Sequence, residues 1–393
     1  MKKLFVVMTL SFATSAFAEG WDRYNNPNIY VPIMPNKSIN YTFSKLPLEA
    51  DLENKDALGW SGNYWPFMYG GITYRWNQPG FKPFSHKFPT REEIMTMSQE
   101  KMGELSPAEL YDIYRGDYNF SFTKRLLSMH SPKAQWWEGL CDGWALSAAN
   151  YSEPRPVVMT NKDGVKVPFG SSDVKALMSM HGVYNSQGYY VKIGRRCNAV
   201  GKVPGEAQSG DRNQNPPAPR QAESDKCRDV NAGAFHVVLT NMLGLHNRSV
   251  VADVDRYGDV WNQTITAYDS KVLGTVPVDS KEQKRGIAKK VRVQTRMQYS
   301  EELMFYSKRA EELGYRNFES KDPVIGTPSQ AHEHKDYEYI LELDVNGNII
   351  GGEWITESRP DMMWTKEKDV RFNDSKFPLS GLNEIYKPVQ LNK

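Results

Sequence analysis

Long apolar runs and an excess of charge of one sign are both missing from this sequence of 393 residues. Lysine and arginine number 49 against 47 aspartates and glutamates, which gives a formal net charge of +2, and the basic residues are scattered along the chain. A nucleic-acid-binding surface needs clustered positive charge, and a membrane-spanning helix needs about 20 consecutive apolar residues. The sequence therefore predicts a soluble protein with no nucleic-acid partner and no membrane span.

One shorter apolar segment lies at the N-terminus. Two lysines precede the apolar residues Leu4 to Phe12, and Ala16-Phe17-Ala18 forms an A-x-A cleavage site. This order is typical of a secretory signal peptide, and the apolar segment is too short to anchor the chain in a membrane. We expect residues 1–18 to be a signal peptide and the mature protein to be periplasmic or secreted.

Cysteine is also scarce, with three residues in the whole chain. In an oxidising compartment two of them tend to pair, which leaves the third as a free thiol. Cys197 and Cys227 flank a segment rich in proline, glycine, glutamine and asparagine, and a disulfide between them would contribute about 3–4 kcal/mol in the chain-entropy model. We expect that disulfide and a free Cys141; the alternative is three buried free thiols.

Helices are predicted first along the chain and strands later. The sequence predicts a helix after the capping box of Ser106 and Glu109, a second from about Gly139 to Asn150, a third after Ser171, and a later one over Tyr299 to Gly314. The predicted strands are Ala234 to Leu239, Ser249 to Asp255, Val260 to Tyr268, and a hairpin of Tyr337 to Asp344 with Ile349 to Ile355 around Asn346-Gly347. Without βαβ alternation, this order indicates an α+β fold.

The aromatic residues suggest how the chain is divided. Ten tryptophans and 21 tyrosines are present, and many crowd between Trp60 and Phe84. We expect residues 19–130 to be an aromatic-rich segment that packs on a core of residues 131–275, which contains the candidate site described next. Residues 276–393 are expected to form a C-terminal helix and β-hairpin region.

Cys141, His236 and an aspartate form the candidate catalytic site. Cys141 begins a predicted helix, where free backbone N–H groups and the helix dipole favour a thiolate. His236 stands in an apolar predicted strand, and Asp253 and Asp255 share one face of the next. A thiol enzyme needs such a nucleophile, base and orienting acid. We favour Asp253 over Asp255; the alternative for His236 is a core histidine bonded to a carbonyl.

Other candidate site residues carry less specific patterns. Gln135 lies six positions before Cys141, a spacing similar to that of the oxyanion-hole glutamine of papain-like proteases. His332 and His334 lack further zinc ligands at a definable spacing. No calcium loop is resolved in the sequence, because the segment around Asp344 lacks the terminal glutamate of such a loop. No metal or other cofactor is therefore required by the sequence.

Four motifs resemble the transglutaminase elicitor family, which includes the cell-wall transglutaminases of plant-pathogenic oomycetes and exported homologues in marine bacteria. They are Cys141-Asp142-Gly143-Trp144-Ala145, Ser171 to Leu177, Phe235-His236 and Val260-Trp261-Asn262-Gln263. The resemblance implies a papain-like or transglutaminase-like α+β core with long N- and C-terminal extensions. It also implies Cys141 as nucleophile, His236 as base and Asp253 as the acid, and it allows Ca²⁺ as a cofactor.

The expected reaction is protein-glutamine γ-glutamyl transfer. Cys141 would form a thioester with a protein glutamine, and a lysine or another primary amine would then form an isopeptide bond. The partners implied are proteins that carry glutamine and primary amines. The alternatives are a papain-like cysteine protease or a glutamine deamidase with the same residues, or a secreted recognition module with an inactive site.

Overall fold

The computed structural model describes residues 21–52, 58–75, 78, 80–195, 229–254, 259–303 and 331–389. The α-helices in this part of the chain are α1 (Arg91–Thr96), α2 (Gln99–Gly103), α3 (Pro107–Arg115), α4 (Ser121–Met129), α5 (Cys141–Asn150), α6 (Ser171–Tyr184), α7 (Ala232–Leu239), α8 (Ser280–Lys284) and α9 (Leu382–Ile385). The strands are β1 (Glu49–Asp51), β2 (Val157–Thr160), β3 (Lys166–Phe169), β4 (Tyr190–Gly194), β5 (Val251–Asp253), β6 (Asn262–Val276), β7 (Lys289–Ser300), β8 (His332–Leu343), β9 (Ile349–Trp354) and β10 (Met362–Lys366).

One antiparallel sheet organises the fold. Its strand order is β4-β10-β5-β6-β7-β8-β9, and β1 pairs with a different stretch of β6 from the one that pairs with β5. Strands β2 and β3 form a separate hairpin. The predicted core and the predicted C-terminal region both contribute strands to the large sheet.

Two helices cover opposite faces of the large sheet. Val251 of β5 packs with Ala145 of α5, whereas its neighbour Ala252 packs in the hydrophobic cluster of Phe235 from α7. Successive residues of a strand point to opposite sides. We call the two sides the α5 face and the α7 face. This separation decides which predicted site residues can meet.

Several local predictions are confirmed. Helix α3 begins at Pro107 with Ser106 as its N-cap, and both bonds of the Ser106–Glu109 capping box are present. Helices α5 and α6 lie where they were predicted, and α6 begins at Ser171. Strands β8 and β9 form the predicted antiparallel hairpin, in which Gly347 takes the positive φ of +77° that its turn requires.

One secondary-structure prediction is wrong, and a second is wrong in its first residues. The segment Ala234 to Leu239 belongs to helix α7, which Asn231 caps by accepting bonds from the N–H groups of Gly233 and Ala234. This helix is buried on every side, so periodicity could not separate a buried helix from a buried strand. Tyr299 and Ser300 end strand β7 instead of starting the helix predicted over Tyr299 to Gly314; residues 304–314 of that prediction lie outside the described residues.

Helices α5 and α6 cross in close contact, with a glycine on each helix at the crossing point. A Cβ atom at Gly143 would lie 2.0 Å from the carbonyl oxygen of Ser179, and one at Gly182 would lie 2.8 Å from the carbonyl oxygen of Gly143. No other residue type fits at either position without displacing backbone. The crossing lies within the first turn of α5 and fixes that helix against α6.

Candidate active site

Cys141 is the first residue of helix α5. Its N-cap residue is Leu140, which makes no side-chain capping bond and whose own N–H donates to the carbonyl oxygen of Tyr64 at 2.5 Å. The Cys141 side chain is 7% exposed. The sequence therefore placed the thiol correctly at a helix start, and the fold buries it against the sheet.

Strand β6 and the residues just before it supply groups that contact the thiol. The Cys141 sulfur lies 3.9 Å from the carbonyl oxygen of Val260 and 3.6 Å from the side-chain nitrogen of Asn262. The side-chain oxygen of Asn262 accepts a bond of 2.7 Å from the indole nitrogen of Trp364. Both Asn262 and Trp364 were missed as site residues, although the sequence had singled out the Trp-Asn-Gln triplet to which Asn262 belongs.

The electrostatic environment of Cys141 differs from the one predicted. Burial raises the pKa of the thiol, and the nearby charges of Asp142 and Glu302 raise it further, while N–H groups of Asn262 lower it. The sequence had predicted a lowered pKa from the helix N-terminus alone. Desolvation disfavours the thiolate more than those N–H groups favour it, so the neutral thiol predominates in the resting protein.

His236 lies on the α7 face, and the structure does not bring it to Cys141. Its Nδ1 atom lies 2.8 Å from the hydroxyl oxygen of Tyr339, and its ring packs against Phe43. Its Nε2 atom is buried and has no hydrogen-bond partner among the described residues. Burial lowers the pKa of His236 to about 3. These contacts correspond to the alternative interpretation of a core histidine, although its partner is a hydroxyl and not a carbonyl.

Asp253 lies on β5, the strand next to the one whose Asn262 contacts the thiol. It lies opposite Asn262 in the pairing of β5 with β6, and its Oδ1 atom accepts a bond of 3.0 Å from the backbone nitrogen of Trp261. Its side chain shares the α5 face with Val251 two residues earlier. The structure therefore places Asn262 against Cys141, and Asp253 opposite Asn262 on the neighbouring strand. Asp255, the alternative acid, lies outside the described residues.

The remaining predicted site residues are distributed as follows. Gln135 is exposed in a turn, where its backbone nitrogen donates to a carboxylate oxygen of Glu138 at 3.1 Å. No contact joins its amide to Cys141 among the described residues. Cys197 and Cys227 lie outside the described residues, so their disulfide stays a prediction.

Three further residues lie near the end of β7, and two of them, Ser300 and His332, face α5. The hydroxyl of Ser300 donates a hydrogen bond to the carbonyl oxygen of Gly59, and the backbone nitrogen of Gly59 donates one to the carbonyl oxygen of Ala148 in α5. His332 lies directly opposite Ser300 in the pairing of β7 with β8, so both side chains point to this face. Glu302 follows Ser300 by two residues, and its charge acts on the thiol. The sequence alone gave His332 no role, because its neighbours across the sheet were unknown.

Aromatic rings cluster around Trp261, the residue before Asn262. Trp261 packs against Tyr64 with ring centroids 5.6 Å apart and against Trp136 at 5.2 Å. Trp136 is 46% exposed. Trp144, in contrast, is fully buried and bonds through its indole nitrogen to the carbonyl oxygen of Trp60. The Trp136–Trp261 pair therefore places an exposed aromatic side chain next to the strand that contacts the thiol.

Among the described residues, one carboxylate cluster has ligand atoms close enough for a metal ion. It comprises Glu282, Glu342 and Glu353, whose oxygens lie within 4.8 Å of one another. Lys290 already binds Glu282 at 2.6 Å, and Arg285 binds Glu342 at 3.3 Å. A calcium site would need these carboxylates free of side-chain cations, so the cluster does not fit a calcium ion.

The fold and the site together define an α+β protein with a buried thiol at a helix start. The family profile described as Transglutaminase elicitor matches residues 128–375, which is more than half of the chain. The chain therefore belongs to the transglutaminase elicitor family, as its motifs predicted.

A solved structure agrees with this assignment. The crystal structure of the GP42 transglutaminase from Phytophthora sojae is similar, with a TM-score of 0.59 and 19% identity. The match covers 88% of this chain and 93% of that chain, which confirms the predicted transglutaminase-like α+β fold. No curated protein sequence matches this chain. None of the described helices is long and apolar enough to cross a membrane.

Proposed function

We propose that this protein is a thiol-dependent acyltransferase of the transglutaminase type, with Cys141 as its nucleophile. The observation that carries the proposal is the position of Cys141 at the uncapped start of α5, in a chain that belongs to the transglutaminase elicitor family. Backbone N–H groups in the first turn of a helix stabilise negative charge at a reacting atom. Such charge develops on the substrate oxygen during acyl transfer.

In the proposed reaction the sulfur of Cys141 attacks the γ-carboxamide carbon of a protein glutamine. The C–N bond then breaks, and the leaving nitrogen takes up the proton that the thiol has lost. Ammonia departs, and the acyl group remains on Cys141 as a thioester. A primary amine, such as a lysine side chain, then attacks the thioester carbon, loses a proton and releases the thiol, which leaves an isopeptide bond. Water in place of the amine would yield glutamate. The 7% exposure of Cys141 limits the access of water and so favours transfer over hydrolysis.

The proton acceptor for this reaction is proposed to come from the α5 face. His236 points into the opposite face, so its predicted role as base has no geometric support. Glu302 and His332 share the face of Cys141 at the end of β7 and the start of β8. We expect His332→Ala to lower the rate by about 100-fold or more, the scale of general-base catalysis. The matched control is His334→Ala, an exposed histidine on the same strand and face.

The protein is further proposed to act outside the cytoplasm on proteins that carry glutamine and primary amines. The signal-peptide pattern of residues 1–18, which lie outside the described residues, supports export. The exposed Trp136 beside Trp261 offers an apolar surface to such a substrate.

The decisive experiment measures incorporation of a labelled primary amine into a glutamine-rich protein, with and without calcium, together with ammonia release. The parent protein should incorporate the amine, and Cys141→Ala should fold but incorporate none. Thr266→Val is a matched control, because it removes a bond between Gln298 of β7 and strand β6 and leaves the sulfur's neighbours in place. Ammonia without incorporation would indicate a deamidase, and peptide cleavage a protease. A parent with none of these activities would indicate a recognition module.

A further inference from the structure

The orientation of the Asn262 side chain is fixed by Trp364. The indole N–H of Trp364 can only donate a hydrogen bond, so the carboxamide atom 2.7 Å away must be the oxygen. The amide nitrogen then points in the other direction, where the Cys141 sulfur lies at 3.6 Å. The usual ambiguity between the two ends of an asparagine side chain is thereby removed.

The backbone around Asn262 is also held in place on both sides. Asp253 accepts a bond from the preceding residue, Trp261, and Thr264 bonds to the carbonyl oxygen of Ala145 in α5 at 2.7 Å. Strand β6 is therefore fixed to β5 and to the nucleophile's helix within three residues of Asn262. An N–H group that is fixed in this way needs no reorganisation when charge appears on the sulfur.

The surroundings of Cys141 otherwise oppose a thiolate. Asp142 and Glu302 contribute negative charge, and the site is buried. A hydrogen bond to a charged acceptor is roughly twice as strong as one to a neutral acceptor. An N–H donor aimed at the sulfur therefore stabilises the reactive anion more than the resting thiol.

We propose that Asn262 is a catalytic residue that donates a hydrogen bond to the Cys141 thiolate, and that Trp364 is the positioning residue that orients it. The inference rests on the proposed function only in taking the thiolate as the reactive species. Neither residue belongs to the predicted Cys141–His236–Asp253 triad. The donor reaches Cys141 from the strand that crosses the start of its helix.

The test is the pH dependence of the rate of Cys141 alkylation by iodoacetamide, measured on the full chain from about pH 6 to about pH 11. Because the rate follows the thiolate fraction, a higher pKa displaces the whole rising profile to higher pH even where its midpoint lies above that range. Mass spectrometry of the peptide that carries Cys141 separates it from the other two cysteines. We expect Asn262→Ala to move the midpoint upward by about one to two pH units, the loss of one hydrogen bond to a charged group. Trp364→Phe, which retains the amide but frees it to rotate, should give a smaller upward shift.

Thr266→Val is the matched control and should leave the midpoint unchanged, because it removes a bond from Gln298 to the same strand without touching the sulfur or the bonds that hold Asn262. An unshifted Asn262→Ala profile would overturn the proposal, and so would an equal shift in Thr266→Val. An unshifted Trp364→Phe profile would overturn the orienting role alone. Thermal unfolding establishes that each variant is folded. If Asn262→Ala does not fold, Asn262→Leu, which keeps a side chain of similar size and removes the donor, is measured in its place with the same two outcomes. The alkylation assay contains no acyl donor, so it is independent of the proposed function. A shifted alkylation profile in a protein that incorporates no amine would reject the proposed function and retain the role of Asn262.

Discussion

The Nδ1 atom of His236 lies 2.8 Å from the hydroxyl oxygen of Tyr339, on the opposite side of the sheet from Cys141. The same hydroxyl is 2.6 Å from the hydroxyl of Thr295, which in turn is 2.8 Å from that of Ser270. This chain of polar groups links α7 to strands β8, β7 and β6 in sequence. These buried groups stabilise the fold because each supplies a hydrogen-bond partner to the next.

The first prediction concerns the role of His236. We expect His236→Ala to lower the free energy of unfolding by about 2–4 kcal/mol, because it removes a buried ring and a hydrogen bond. Amine incorporation per folded molecule should stay within about threefold of the parent. Tyr339→Phe is the control, since it removes the same bond, retains the ring and should cost only about 0.5–1.5 kcal/mol. A folded His236→Ala protein with a loss of several orders of magnitude would restore the predicted catalytic base.

The second prediction concerns acid stability. Burial lowers the pKa of His236 to about 3, below the value of about 6.5 for an unfolded histidine, so the unfolded state binds more protons between these values. The stabilisation from the neutral ring is therefore complete above about pH 6.5 and is lost as the pH falls towards 3. In that window the parent should lose up to about 1.4 kcal/mol per pH unit more than His236→Gln. Denaturant titrations of both proteins measure this, and parallel pH profiles would contradict it.

The third prediction concerns Asp253. Its carboxylate accepts the backbone N–H of Trp261 and lies opposite Asn262, so its charge holds the strand that contacts the thiol. Asp253→Asn should lose most of the amine incorporation and about 1–3 kcal/mol of unfolding free energy, the scale of a bond to a buried charge. Asp255→Asn should retain most of both. The reverse pattern in an incorporation assay would assign the acid to Asp255.

The fourth prediction concerns a buried ion pair outside the site. Arg75 binds Glu109 through Nε at 2.9 Å and Nη2 at 2.6 Å. Although burial alone raises the pKa of Glu109, the bonds from Arg75 and His86 outweigh it and lower the pKa to about 2. Glu109→Gln should cost about 3–5 kcal/mol, because the Arg75 charge stays buried without its partner.

The double variant Arg75→Met with Glu109→Leu serves as the control for that pair and should cost less than Glu109→Gln alone. The contribution of the parent's Glu109 should persist above the unfolded pKa of 4.5 and fall away as the pH drops towards 2. Equal costs for the single and double variants in urea titrations would show that the charge pairing does not set the stability.

The fifth prediction is the disulfide between Cys197 and Cys227. If the exported protein encounters an oxidising compartment, peptide mapping without reduction should recover the two cysteines in one linked peptide pair. Cys141 should be recovered as a free thiol after alkylation under denaturing conditions. Recovery of Cys197 and Cys227 as separate alkylated residues would contradict the pairing.

Local signals predicted the fold better than they predicted the site. The Ser106–Glu109 capping box and the turn at Gly347 are determined by neighbouring residues, and both occur as expected. Helix α7 was mistaken for a strand because it is buried on all sides, and its cap at Asn231 was overlooked. That error put His236 in a strand of the sheet, whereas the structure places it on a helix that packs against the face opposite Cys141.

The site needed information that one sequence does not contain. Cys141 was recognisable because its position at a helix start is a local property. The contact of Asn262 with Cys141 joins residues 121 positions apart, and no period or spacing predicts such a pair. The raised pKa of the thiol likewise depends on burial by distant strands, which outweighs the local helix dipole.

The glycine crossing of α5 and α6 leaves no free space beside the start of α5. Gly143 lies two residues after Cys141, and a single carbon added there would meet the backbone of α6. At the proposed site, room for a bulky protein substrate would therefore have to come from the aromatic side chains of Trp136 and Trp261 instead. Variants designed to accept larger substrates should shorten those two side chains and leave both glycines unchanged.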